Sequence, residues 1–452
     1  MFKNTKILIA SFLLVPVIGL PIIANAQDEK PTAEPEKTIS EEKWNAKFQA
    51  TYLAQSKRSF NAPYTGSNSL ITTREHAYSS TITAYLGYRP WAGGEFFFNP
   101  EMIQSVPLST LHGLGGLTNA EQQKTSGPNP KFYKARLFFR QSFGLGGEQD
   151  VVESGPNQLA GMVDRQRVVV TVGNLGLIDI FDSNAYAHDP RTQFVNWTFL
   201  THGAFDYAAD ARGYSNGAAV EYYHDAWAVR AARFMVPRQS NGLALDMNIG
   251  KHYGDQLELE HGHNLADQPG KVRLLVFRNR AVMGSYADSI TFAQANGGTP
   301  DVGNVRKESI KYGLGLSLEQ SLRSDVGIFA RASRADGKTE TYSFTEIENS
   351  LSAGIAIKGN SWGRANDTFG LAGAQNGLNK DHQNYLSLGG LGAFIGDGKL
   401  NYRPERILEA YYNIKFFKMS SVMVGFQRIS NPAYNADRGP VNVGTLRLHT
   451  EF

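Results

Sequence analysis

Apolar and polar residues alternate one by one along most of this chain. In the stretch 44–52 one face is Trp44, Ala46, Phe48, Ala50 and Tyr52, and the other is Asn45, Lys47, Gln49 and Thr51. A strict period of two over that length predicts a β-strand with one apolar and one polar face. The pattern returns where Ile82, Ala84, Leu86 and Tyr88 alternate with Thr81, Thr83, Tyr85 and Gly87, and where Phe96, Phe98 and Met102 alternate with Glu95, Asn99 and Glu101. Next, Ala135, Leu137, Phe139 and Phe143 alternate with Lys134, Arg136, Arg140 and Ser142, and Val168, Val170 and Val172 with Arg165, Arg167 and Thr171. Further strands are expected near 214–224, 226–237, 252–262, 270–281, 309–320, 324–335, 345–358, 367–375, 404–416, 420–431 and 441–452. The total is about 16, most of them close to the 9–11 residues that a tilted membrane strand needs.

The connections alternate too. Residues 56–77, 104–131, 238–251, 282–308 and 376–403 are long, whereas 90–94, 263–269 and the tight turns at His224-Asp225, Leu322-Arg323 and Phe417-Lys418-Met419 are short. Long loops on one side and short turns on the other are the habit of a closed antiparallel barrel in the outer membrane. The stretch 144–164 departs from it, being long where a short turn is due. Lys47, Arg136, Arg140, Glu258, Glu260 and Glu409 sit on polar faces, while Trp44, Tyr52, Tyr88, Trp227 and Tyr412 lie near the ends of apolar ones. A soluble sandwich would bury the apolar face and gain nothing from aromatic ends; lipid outside and water inside explains both. The last strand closes on Phe452, an aromatic C-terminus of the kind that outer-membrane barrels present to the assembly machinery.

One stretch breaks the period. From Asn174 to Gly213 the chain is apolar and aromatic without alternation, and about 40 residues is too long for an idle loop. The expectation is a segment after strand 5 that folds inward and narrows the lumen.

Composition adds little but excludes much. Lys3 and Lys6, the apolar run Ile7 to Ile23 and Ala24-Asn25-Ala26 read as a secretory signal over 1–26. Residues 27–43, rich in Glu, Lys and Pro, read as a disordered periplasmic leader, and 44–452 as the barrel domain. The chain has no cysteine, hence no disulfides and no lipid-bearing N-terminal cysteine. A formal net charge of +3 over 452 residues argues against nucleic acid as a partner. His261 and His263 share a strand face without a third ligand nearby, so no metal and no cofactor is expected. No Ser-His-Asp arrangement stands in a nucleophile context, so neither is an enzyme.

Several strings together resemble the carbohydrate-selective outer-membrane porins of the OprB type. They include Phe60-Asn61-Ala62-Pro63-Tyr64, Ala135-Arg136-Leu137-Phe138-Phe139-Arg140-Gln141 and Asn157-Gln158-Leu159-Ala160. With them go His188-Asp189-Pro190-Arg191-Thr192-Gln193-Phe194, Tyr207-Ala208-Ala209-Asp210-Ala211-Arg212-Gly213, Asn241-Gly242-Leu243-Ala244-Leu245-Asp246 and the run from Asn431 to Pro440. The resemblance implies a 16-stranded barrel that passes small neutral sugars, glucose above all, without energy input. It lives among outer-membrane lipids and lipopolysaccharide, and a homotrimer is compatible with it. The alternative is a general diffusion porin with mild ion selectivity.

A sugar-selective pore needs fixed donors and acceptors at its waist, with binding weak enough for exit. The inward positions of strands 3 to 5 supply them: Glu95, Asn99 and Glu101 as acceptors, and Arg136, Arg140, Arg165 and Arg167 as forked donors. Asp179 on the inward stretch is expected to face those arginines, whereas Asp182 more simply holds the stretch to the wall.

Overall fold

The computed structural model describes residues 39–452; the signal over 1–26 and most of the 27–43 leader lie outside the described residues. Sixteen strands form one closed antiparallel barrel in which each pairs with its neighbours in sequence and the first pairs with the last. They are β1 (Trp44–Lys57), β2 (Glu75–Trp91), β3 (Gly94–Val106), β4 (Lys131–Val152), β5 (Gly161–Leu175), β6 (Ser215–His224), β7 (Trp227–Phe234) and β8 (Tyr253–Leu265). The second half is β9 (Gln268–Met283), β10 (Lys307–Arg323), β11 (Val326–Ala335), β12 (Asn349–Gly359), β13 (Arg364–Gly377), β14 (Glu405–Phe417), β15 (Ser420–Ser430) and β16 (Val441–Glu451). Two helices, α1 (Tyr286–Asn296) and α2 (Lys380–Ser387), lie in long connections. Among the described residues no helix is long and apolar enough to cross a membrane, and the crossing is made by strands.

Burial is inverted relative to a water-soluble sheet. Leu86, Leu137, Val172, Leu257, Leu316, Leu408 and Leu446 are exposed on the outside, while Gln49, Thr83, Glu101, Glu258, Arg273, Arg331, Glu409 and Arg447 are buried inside. Lipid is the only solvent that rewards that outer face. The seam is made by β1 and β16, in register from Gln49 opposite Glu451 to Lys57 opposite Val443. Phe452 extends it: its N–H donates to the Phe48 carbonyl at 3.0 Å, its own carbonyl accepts from Phe48 N–H at 2.9 Å, and the two rings lie 5.2 Å apart.

Alternation fails once in a way that matters. Asn99 stands opposite Arg136 but Pro100 stands opposite Lys134, leaving Ala135 unopposed. Proline cannot donate to the ladder, and a bulge is how a sheet accommodates it. The bulge turns Tyr133 inward, towards Glu101, in place of Lys134, and buries Ala135, which simple parity assigns to the lipid face.

The long stretch 144–164 also resolves. β4 and β5 continue past their outer partners: β3 leaves β4 at Gln141, and β6 leaves β5 at Arg167. Below that point they pair only with each other, through bulges at Gly144–Gln149, as a two-stranded ribbon. The ribbon's tip, 153–160, curls back onto the β1–β3 wall. Leu159 is buried beside Gly87 and Phe97, and Asn45 Nδ2 donates to the Gln158 carbonyl at 2.8 Å.

From Gly176 to Tyr214 the chain leaves the wall and crosses the interior. Phe181, Val195, Phe199, Phe205 and Ala208 are buried, and its polar groups bond to strands around the barrel. Glu409 of β14 accepts the N–H groups of Val195 (2.7 Å) and Asn196 (3.0 Å). Glu258 of β8 accepts from Asp182 N–H at 2.8 Å, Glu319 of β10 from Ala185 N–H at 2.8 Å, and Arg447 of β16 donates to the Pro190 and Gln193 carbonyls. Each carboxylate takes the place of a helix or ladder partner for backbone that would otherwise be unpaired. The connection 336–348 packs against this segment: Asp206 accepts the N–H groups of Tyr342, Ser343 and Phe344 at 2.8, 2.8 and 3.0 Å.

Candidate functional site

The inward segment does not fill the barrel evenly. Against β1 to β5 it leaves a cavity of about 320 Å³, and Ala185, Tyr186, Thr192 and Gln193 of the segment border a second, of about 540 Å³, against the turn ends of β10 to β16. Gln49, Tyr85 and Arg136 line the first from the wall, Asp179, Asp189, Arg191 and Asp210 to Tyr214 from the segment, and Gln123 and Lys124 from the β3–β4 connection. It runs from Pro156 and Asn157 on the ribbon tip to Lys124 and Ser343 among the long loops, a path along the barrel axis.

Three guanidiniums border this path, each held differently. Arg136 makes a two-pronged bond to Asp179, Nε to Oδ2 and Nη2 to Oδ1, both 2.7 Å, and its plane lies 5.1 Å from the Tyr214 ring centre. Burial pushes the Asp179 carboxyl up, but Arg136 and the Gly176 N–H outweigh it and hold the group below the usual carboxylate range. Arg191 donates to Glu101 (3.0 Å), Glu121 (2.8 Å), Gln49 (2.7 Å) and Tyr85 (3.1 Å). Arg212 lies 4.6 Å from the Tyr133 ring centre, and among the described residues no carboxylate pairs with it. Tyr133 and Tyr214 sit 6.2 Å apart, Tyr214 in the cavity lining and Tyr133 outside it.

The residues expected from the sequence divide into six groups. Arg136 and Asp179 meet at the cavity. Glu101 stands directly behind it, fully buried and bonded to Thr83, Tyr133 and Arg191. Glu95 and Arg140 lie lower on the wall. Glu95 accepts from Arg89 at 2.8 Å and lies 3.6 Å from Arg140, which donates to the Asn157 carbonyl at 3.1 Å. Asn99 is buried with neither side-chain atom partnered among the described residues, away from the cavity lining. Arg165 and Arg167 do not join the group. Arg165 pairs with Glu148 and Asp150 on the exposed ribbon, because β5 leaves the wall at Arg167. Arg167 lies over the Tyr223 ring at 4.0 Å and donates to the Asp164 carbonyl. Asp182 is a wall anchor: Arg331 binds it at 2.9 Å and Thr201 at 2.9 Å.

Parity along strands could not find Arg191 and Arg212, because both lie on the aperiodic segment. Their visible trace is a guanidinium within an otherwise apolar inward stretch.

Residues 87–452 match the family described as carbohydrate-selective porin, OprB family. A comparison with curated proteins finds no match. Among solved structures, the high-pH structure of Pseudomonas putida OprB is similar with a TM-score of 0.70 at 16% identity, covering 91% of this chain and 94% of that one. The low-pH structure of the same protein gives 0.49 at 13% identity, with 91% and 93% covered. Pseudomonas aeruginosa OccK2 (OpdF) gives 0.44 at 8% identity, with 90% and 97% covered. At these identities the first likeness bears on the fold.

Proposed function

This chain belongs to the carbohydrate-selective porin OprB family, and we propose that it selects its sugars in the cavity between the inward segment and the β1–β5 wall. It is a passive channel for small carbohydrates in a bacterial outer membrane, a channel rather than an enzyme. The observation that carries the choice of site is the convergence of Arg136, Arg191 and Arg212 with Tyr85 and Tyr214 along one axial path.

A pyranose carries hydroxyls around its rim and C–H bonds on its faces. Planar guanidiniums can bridge adjacent hydroxyls, which a lysine cannot. The Tyr214 ring gives the C–H face an apolar surface. Asp179, Asp189 and Asp210 supply acceptors. Each bond replaces one that the sugar made with water, so net binding is weak, about 0.5–1.5 kcal/mol per bond, and the sugar can leave. Glucose is the proposed cargo. The segment's role as constriction, and recognition of Phe452 by the assembly machinery, belong to the same proposal.

Conductance of the purified protein in a planar bilayer, titrated with a panel of sugars, tests it. Saturable current block by glucose and its epimers is expected. Current that scales with bulk salt and ignores every sugar would replace this reading with a general diffusion pore.

A further inference from the structure

The ribbon of β4 and β5 below Gln141 plays no part in closing the barrel, yet its tip returns to the pore. Pro156 and Asn157 line the same cavity as Arg136 and Asp179. We propose that the tip 153–160 is a fixed lip at the periplasmic end of the path, and that the Asn157 side-chain amide is a specificity-determining contact for sugar. This rests on the sugar reading of the cavity.

Three observations support it. First, the tip is fastened on several sides. Arg140 holds the Asn157 carbonyl, Arg89 holds the Ala160 carbonyl at 3.1 Å, and Asn45 holds Gln158. Glu42 accepts from the Ala160 N–H at 2.9 Å and from Ser154 at 3.0 Å. A loop that served only to join two strands would need none of these.

Second, the fastenings use charged groups of the lumen wall. Glu95 bridges Arg89 and Arg140, so this chain of three charges runs beneath the tip and is occupied in holding it. Two residues that strand parity marks as sugar ligands thereby become positioning residues.

Third, Asn157 itself has backbone φ of +56°, a left-handed turn that asparagine and glycine tolerate. Its Oδ1 is buried without a hydrogen-bond partner among the described residues. The Nδ2 donor is neither enclosed nor bonded among them. A fixed amide beside a path for polyols, with that donor unspent, can bond a hydroxyl oxygen that an anchoring amide could not.

The test uses the full-length protein in planar bilayers with glucose as the probe. Asn157→Gly keeps the turn and removes the amide. It is expected to weaken glucose block several-fold while changing salt conductance less than twofold. Because the chain has no cysteine, Asn157→Cys provides a single thiol. A charged methanethiosulfonate should lower its current, and glucose should slow that reaction. Unchanged glucose block in Asn157→Gly overturns the assignment whatever the thiol does. Modification of Asn157→Cys without any change in current overturns the lip. If glucose does not block the unaltered protein, the sugar reading fails instead, and the thiol's effect on current still decides whether the tip borders the path.

Discussion

The two flanks of the inward segment are built from the same residue types and do different things. On the β6–β11 flank, Arg230 bonds Glu221, Glu258 and Glu260, Arg273 bonds Glu260 and Glu319, and Lys311 bonds Asp206. Arg331 is spent on Asp182 and on the Phe199 and Ala187 carbonyls. These cations are almost wholly buried. On the β1–β5 flank, Arg136 and Arg191 are also paired, but they keep one side towards an open path, and Arg212 keeps more. An inward charge is thus available to a solute only where no backbone has been laid in front of it. Where backbone has been laid, the charge anchors the segment that forms the opposite bank.

The comparison can be broken from either side. The largest effect should come from removing the segment: replacing Ile178 to Ala209 with a short Gly-Ser turn should raise single-channel conductance several-fold and abolish discrimination among sugars. Wild-type conductance would show that the segment does not limit flow. Next is Arg331→Leu, which strands Asp182 and two carbonyls in the interior. Breaking one side of a buried ion pair costs about 3–5 kcal/mol, so the barrel should lose heat resistance on gels and its current should become noisy. Arg136→Lys works on the other flank. It keeps the charge but loses the two-pronged fork, so sugar block should weaken several-fold, in line with about 0.5–1.5 kcal/mol, at unchanged ion selectivity. Smallest of all is Arg165→Gln, on the exposed ribbon. Its sugar block and ion selectivity should match the parent, and a clear change in either would return Arg165 to the pore.

Most of the barrel was legible because lipid and water impose opposite demands on adjacent residues. All 16 expected strands have counterparts in β1 to β16, including the short-patterned 367–375, which lies within β13. What parity could not carry was anything set by a bulge or by tertiary reach. Tyr133 replaces Lys134 inside because Pro100 cannot pair. Arg165 keeps its parity but not its place, since its strand has left the wall. Arg191 and Arg212 sit on backbone held by carboxylates distant in sequence, such as Glu409. The break at Asn174 to Gly213 announced an inward segment, but where the openings beside it lie follows from packing alone. The connection 336–348 gave no warning either, because its buried Tyr342, Phe344 and Ile347 fit equally well a strand entrance.

The crossing segment also bears on how the protein is made. β1 and β16 must find each other across nearly the whole chain, with Thr51 and His449 side by side though 398 residues apart. That is the costliest closure in the molecule by chain entropy and the slowest class of contact to form. The segment touches both partners: Arg191 reaches Gln49 on β1, while Arg447 on β16 grips the carbonyls at Pro190 and Gln193. It therefore works as a clasp. Once docked, it brings the first and last strands to a common template, and once they zip, the ring of hydrogen bonds locks it in. The first and last strands are thus tied twice, once by their own ladder and once through this inner template.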